Sequence, residues 1–315
     1  MGAVFLLACA IVAPFVLPVH VVSSTIVVLH LCYLAQCWNI AAGFAGQFSL
    51  GHPLFFGIGA YSVMVLSTKY GISPWLGIVA GAAVAAAVAA AISWLVFRYN
   101  IRGVYFALVT LGCAEVVKGV ADNWQYIGGS GGLLYPMRDA PLDFLFTSRI
   151  PYYYIILCAA VVLLVLTYAI KRGKFGQYLL AIREDEDAAE ASGINTFRYK
   201  TYAISLSAAL TSFGGAFYAQ LYLYITPETV FAFEHQLNMM IGTMIGGAGT
   251  VMGPVVGAIV FSTIAERLRH LPFGDVPQVA AGSRIIYAIL LLLVVLNFRG
   301  GLVGLAQAAL RGRRR

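Results

Sequence analysis

Apolar runs long enough to cross a bilayer recur along the whole chain, and one stretch, 171–200, is strongly hydrophilic. Hydrophobic residues make up 61% of the sequence and charged residues 10%, against roughly 45–50% and roughly 25% in soluble proteins. That balance excludes a soluble single domain, a disordered chain and a disulfide-stapled secreted protein. A spanning helix needs roughly 20 residues, so the length holds roughly eight to eleven spans and no large soluble domain.

Spans are expected at 2–17, 21–42, 54–68, 74–97, 104–120, 152–170, 201–224 and 284–298. A Gly-rich polar break, 43–53, separates the second from the third, and a long loop at 121–151 follows the fifth. The region 236–264 is apolar but interrupted by Gly246-Gly-Ala-Gly-Thr-Val-Met-Gly-Pro254. Helix breakers at that density suggest two short helices meeting at a turn. Two passes there give ten spans with both termini on one side. That side carries 13 Lys and Arg and the other 7, so the termini and the 171–200 loop are expected in the cytoplasm. The expected fold class is an all-α polytopic membrane protein of about ten transmembrane helices, some of them short or broken.

The first Lys or Arg is Lys69, so the basic start of a cleaved signal peptide is missing. The net charge of +7 fits basic cytoplasmic loops and gives no reason to expect nucleic acid as a partner. Cys9, Cys32, Cys37, Cys113 and Cys158 lie in apolar runs with no CxxC and read as small buried hydrophobes.

Eleven of the 33 charged residues fall within 171–200, among them Arg183-Glu-Asp-Glu-Asp-Ala-Ala-Glu190. Residues 182–192 read as a short helix, with acids at its start where the helix dipole favours them and Gly193 as its stop. Asp187-Ala-Ala-Glu-Ala-Ser-Gly193 resembles the EAAxxxG docking pattern of ABC importer permeases, with Asp for Glu. Alone, the segment also fits a plain solvated loop.

Further segments make the resemblance specific. Trp38-Asn-Ile-Ala-Ala-Gly-Phe-Ala-Gly-Gln-Phe-Ser-Leu-Gly-His-Pro-Leu-Phe-Phe-Gly-Ile-Gly-Ala-Tyr61 is followed by Arg102-Gly-Val-Tyr-Phe-Ala-Leu-Val-Thr-Leu111 and Gly128-Gly-Ser-Gly-Gly-Leu133. Then come Arg172-Gly-Lys-Phe-Gly-Gln-Tyr-Leu-Leu-Ala-Ile-Arg-Glu-Asp-Glu186 and Gly246-Gly-Ala-Gly-Thr-Val-Met-Gly-Pro-Val-Val-Gly257. In this order they resemble the branched-chain amino acid ABC permeases of LivM type, over nearly the whole chain. The resemblance implies a single permease domain over 1–315 in the bacterial inner membrane, with a cytoplasmic coupling loop and helix at 171–200 and a basic cytoplasmic tail at 299–315. It implies a LivH-type permease as heterodimer partner, two ABC ATPase subunits and a periplasmic substrate-binding protein. Leu, Ile and Val are the implied cargo, although related permeases carry urea, other amino acids or small carboxylates.

Consistent with that reading, no GxxxxGK[ST] loop is present, Gly173-Lys174 being followed by Phe175, and no LSGGQ-like signature occurs. ATP and Mg are therefore expected on partner subunits, with no cofactor, metal or enzymatic activity in this chain. The ATPase-coupling candidates are Arg183, Glu186, Asp187, Ala188, Ala189, Glu190 and Gly193. The translocation-pathway candidates are Asn39, Gln47, Ser49 and His52, which flank the 43–53 break, with Tyr61, Thr110 and Glu115. Intramembrane charge is costly, so Glu115 is expected to pair with Lys118 three residues on, or Lys118 to snorkel to the interface. Gly128, Gly129, Ser130 and Gly131 form the loop expected to face the binding protein. The runner-up is an ion-coupled secondary transporter, whose midplane sites broken helices would suit, but Glu115 is nearly alone as an intramembrane carboxylate. A membrane-embedded enzyme lacks HExxH, GxSxG with partners, or a carboxylate cluster in a span.

Overall fold

The structure, a computed structural model, describes residues 10–15, 18–135, 144–269 and 301. Of the expected span at 2–17 only 10–15 is described, and it is helical. The expected span at 284–298 lies outside the described residues, as does the tail at 299–315 apart from residue 301.

The chain is an all-α polytopic membrane protein. Helix α1 (Val19–Trp38) runs directly into a π-helical turn (Asn39–Phe44). Then come α2 (His52–Tyr70), α3 (Pro74–Arg98) and α4 (Val104–Asn123). Two 3-10 turns and a short strand β1 (Leu133–Leu134) lead towards α5 (Ile150–Arg172). Two short helices follow, α6 (Lys174–Glu184) and α7 (Glu186–Ala191). Next are α8 (Thr196–Tyr222), strand β2 (Tyr224–Ile225) and the single turn α9 (Pro227–Val230). The last two described helices are α10 (Phe233–Gly246) and α11 (Gly253–Arg269). Proline opens α2, α3, α5 and α9, where its missing N–H costs nothing.

By length and composition, α1 with its π turn, α3, α4 and α5 can each cross a membrane. The outer face of α3 exposes Trp75, Leu76, Val79, Val84, Trp94 and Leu95, as a lipid-facing helix should. Helix α8 is longer, at 27 residues, but carries Lys200, Ser207, Thr211, Ser212 and Gln220, all buried. It sits inside the bundle against α2 and α3, where polar side chains meet protein rather than hydrocarbon.

Close approach depends on missing side chains. A Cβ on Gly59 would lie 1.9 Å from the Ser212 carbonyl oxygen, and one on Gly215 1.9 Å from that of Phe56. Helices α2 and α8 thus touch backbone to backbone. Similarly, Gly246 faces Gly253 and Gly257 faces Gly242, with built Cβ distances of 1.6 and 1.9 Å to the opposing carbonyl oxygens. The pairing makes α10 and α11 an antiparallel hairpin, so 236–264 holds two short helices as its breakers suggest.

Three expectations need correction. The break expected at 43–53 is narrower, because 39–44 continue α1 in a π register and only 45–51 are non-helical. The helix expected over 182–192 is two helices, parted at Asp185. Asp185 is extended there, and its Oδ1 accepts from the Ala188 amide at 3.0 Å as the N-cap of α7. Among the cysteines, Cys32 and Cys37 are buried, Cys113 is half-buried and Cys158 is exposed on α5. An apolar residue on a membrane helix can face lipid as readily as the core.

Gly59→Ala and Gly215→Ala are expected to strain the α2–α8 contact by about 1–3 kcal/mol. Both should lower Tm in detergent, whereas Gly112→Ala, whose Cβ meets nothing within 4 Å, should leave it near the parent value. Equal Tm values for all three would refute the backbone contact.

Candidate functional site

Backbone breaks in an apolar bundle leave N–H and C=O groups that must find partners. Here α1 and the π turn after it supply the side-chain partners for the turn at 247–252 between α10 and α11. Asn39, fully buried, donates from Nδ2 to the Thr250 carbonyl at 2.9 Å and accepts at Oδ1 from the Gly249 amide at 2.8 Å. Gln36, nearly one turn earlier, donates to the Val251 carbonyl at 2.7 Å. Thr243 on α10 donates to the Ala35 carbonyl at 2.9 Å. Gly43 admits no side chain, because a Cβ would lie 1.9 Å from Asn39 Oδ1 and 2.6 Å from the Gly249 nitrogen.

The 45–51 segment is held in the same way. The Ser49 carbonyl accepts from Trp38 Nε1 at 2.9 Å and from Gln236 Nε2 at 3.1 Å, and Ser49 Oγ accepts from the Gly51 amide. Thr110 of α4 donates to the Ala107 carbonyl and accepts from the Leu50 amide at 3.1 Å. Ser207 Oγ donates its single proton to the Cys37 carbonyl at 2.7 Å. His52 Nε2, 2.8 Å away, must therefore be the donor to Ser207, which in the neutral ring makes Nδ1 the acceptor nitrogen. His52 Nδ1 has no partner among the described residues.

Asn39, Ser49, His52 and Thr110 thus converge on the breaks, and Gln47 lies within the 45–51 segment, while Tyr61 and Glu115 lie apart. Gln47 donates only locally, to the Ala45 carbonyl. Tyr61 stacks on Phe231, with centroids 5.9 Å apart, and lines an apolar groove of about 300 Å³ with Ile58, Val84, Val117, Val120 and Trp124. Its hydroxyl is buried without a partner among the described residues. Glu115 is exposed on α4, and among the described residues it forms no ion pair with Lys118.

Helices α6 and α7 form a strap bound to the body by its own acids. Lys200, on α8, donates to Glu186 Oε1 and lies over the Phe97 ring at 4.2 Å. Arg102, between α3 and α4, reaches Asp187 at 2.8 Å and Glu186 at 3.7 Å. Hydrogen bonding to Asp187 pushes the Arg102 guanidinium further above its ordinary value, so it stays charged. Glu190 accepts from Thr196 Oγ1, and Ala189 is buried. Of the coupling candidates, Ala188 and Gly193 are exposed, and Gly193 ends the strap at φ +84. Arg183, near the end of α6, turns inward, and its Nη1 donates to the Gly43 carbonyl at 2.5 Å.

The 128–131 loop rests on the 223–226 segment. Tyr224 Oη donates to the Gly131 carbonyl at 3.0 Å, and β1 pairs antiparallel with β2 as Leu133↔Ile225 and Leu134↔Tyr224. Gly129 is buried and Gly128 half-buried, while Ser130 and Gly131 are exposed.

Gln36, Gln236, Thr243, Thr250, Ser207, Arg102 and Lys200 also build the site without being singled out by sequence. For Gln36 and Gln236 a signal exists: an amide inside an apolar run must be bonded to something.

A family model described as the permease component of branched-chain amino acid transport systems matches residues 20–295. The high-affinity branched-chain amino acid transport system permease protein LivM of Escherichia coli (strain K12) is 27% identical over 290 residues, which cover 84% of this chain and 68% of the relative. Its namesake in Salmonella typhimurium is 26% identical over 288 residues, covering 84% and 67%. The ribose import permease protein RbsC of Haemophilus influenzae is 25% identical over 131 residues, covering 40% and 41%. No solved structure matches.

Lys200 and Glu186 have side chains 4% and 15% exposed. Lys200→Met is therefore expected to cost about 2 kcal/mol or more and to speed proteolysis within 171–200, with Glu186→Gln in the same chain restoring part of the loss. Asp187, 79% exposed, should give less than about 1 kcal/mol on change to Asn. Identical digestion of the parent and Lys200→Met proteins would show that the ion pair does not hold the strap.

Proposed function

The chain belongs to the family of permease components of branched-chain amino acid transport systems, and on that footing we propose that it carries Leu, Ile and Val across a bacterial inner membrane. The observation that carries this reading is the match over 20–295, nearly the whole chain. Coverage also leans towards amino acids: the LivM relatives align over 84% of the chain and the sugar permeases over 40–69% of it.

On this reading residues 1–315 form one permease domain that pairs with a LivH-type permease, two ABC ATPase subunits and a periplasmic binding protein. The chain catalyses no bond change, and alternating access is driven by the ATPases. The termini and the α6–α7 strap lie in the cytoplasm by the bias of Lys and Arg. The ATPases dock on the strap through the exposed small residues Ala188, Ala191 and Ser192 and the Gly193 stop. The binding protein meets the opposite end, at Ser130 and Gly131. Asn39, Ser49, His52 and Thr110 hold the breaks, and Gln47 caps the same segment. Tyr61 and Glu115, with polar groups not bonded within the described chain, are left to face the pathway or the partner permease. A carboxylate on α4 is poorly tolerated by hydrocarbon, so the uncovered face of α4 is assigned to protein or water.

Reconstitution of the full importer tests the reading. Leucine uptake into liposomes should require ATP, the ATPases and the binding protein, and the chain alone under a proton or sodium gradient should transport nothing. Ala188→Arg, which leaves the Arg102–Asp187 pair intact, should weaken ATPase association and lower uptake by about tenfold or more, the scale of a central interface residue. Gradient-driven uptake without ATP would instead make the protein a secondary transporter.

A further inference from the structure

We propose that Arg183 is the positioning residue through which movement of the α6–α7 strap reaches both backbone breaks at once. The inference rests on the reading of that strap as the ATPase dock, but assigns Arg183 to the inner end of the lever rather than to the partner surface.

Three contacts support it. Arg183 Nη1 donates to the Gly43 carbonyl, which lies within the π turn whose closing backbone bonds run from Ala45 to Ile40 and from Gln47 to Ala41. A Cβ on Gly249 would lie 2.2 Å from the same Nη1, so the guanidinium is seated against the 247–252 turn as well. A Cβ on Gly46 would lie 3.3 Å from Arg183 Cα, so the backbone of α6 abuts the chain just past the π turn. One cation therefore touches both breaks, and Asn39 ties those breaks to each other.

The surroundings make α6 a stiff arm. Leu179 packs with Phe44, Ala45 and Ala203, pinning the helix to the π turn and to α8. At its start a Cβ on Gly176 would meet the Ile170 carbonyl oxygen at 2.1 Å, which fixes the α5–α6 corner. Beyond Arg183 the chain breaks at Asp185 and enters α7. A force applied to α7 thus travels along the chain to the end of α6, where Arg183 stands. Arg183 remains exposed on its other side, and among the described residues no carboxylate pairs with it. Its guanidinium offers five donors in a rigid plane, so it can hold the Gly43 carbonyl without being committed to an acid. Displacement of α6 carries that carbonyl, and with it Asn39 and the 247–252 turn.

The test uses the complete importer in liposomes, with radiolabelled leucine and the binding protein. Arg183→Ala should raise the ATP hydrolysed per leucine transported by about tenfold, the scale of one charge-assisted hydrogen bond, while ATPase subunits still co-purify. Arg183→Lys, which can still donate to the Gly43 carbonyl, should recover part of the coupling. Amide exchange over 39–51 and 247–252 should respond to a non-hydrolysable ATP analogue in the parent complex and lose that response in Arg183→Ala. Normal coupling with a normal nucleotide response in Arg183→Ala overturns the proposal. Should Arg183→Ala fail to assemble, Arg183→Gln, which keeps a long side chain but removes the guanidinium, takes its place, and the same two readouts decide. If Ala188→Arg leaves ATPase association intact, the docking reading fails, whatever Arg183 does.

Discussion

Hydrocarbon offers no hydrogen bonds, and the two interruptions in this bundle are held by side chains that reach their backbone from neighbouring elements. The carbonyls and amides at 249–251 are met by Gln36 and Asn39, and the Gly43 carbonyl by Arg183. The glycines at 43 and 249 follow from that exchange, since a side chain at either would occupy the space of an atom already in use. What resembles a flexible glycine-rich region in sequence is a tightly bonded contact between distant segments.

The charged residues show a similar economy. Glu186 of α7 is drawn out of water onto Lys200, and Asp187, still largely in water, reaches Arg102. The buried Lys200–Glu186 pair is supported by the Phe97 ring beneath it. Two cations, one from the α3–α4 connection and one from α8, converge on one short helix, so neither element can shift without disturbing it. The polar part of the chain is thereby a joint between membrane segments rather than an appendage to them.

Much of the fold was legible in the residues. Apolar runs bounded by Pro and Gly marked α2, α3, α4 and α5 to within a few positions, because membrane insertion is decided largely by composition over a window. The breakers at 246–254 marked the hairpin for the same reason. The continuous helix expected over 182–192 failed at Asp185, whose side chain competes for backbone amides and caps a new helix instead. Asn39, Ser49 and His52 were recognisable as polar residues beside a break, but their partners were not. Asn39 meets Thr250 across 211 positions and His52 meets Ser207 across 155, separations at which no local pattern records the pairing. Arg183 was visible as part of a charged segment, yet its direction, towards Gly43 rather than outward, depends on how α6 folds back.

The α10–α11 hairpin has a consequence for how the chain enters its bilayer. Helix α10 has 14 residues, about 21 Å at 1.5 Å per residue, which falls short of a hydrocarbon layer of about 30 Å. It would be a poor insertion signal alone. Its glycines, however, close against those of α11 with almost no gap, so the two helices present themselves as one unit with their turn already bonded to α1. The place where the hairpin sits is thus set by its bonds to α1 and the π turn rather than by its own length.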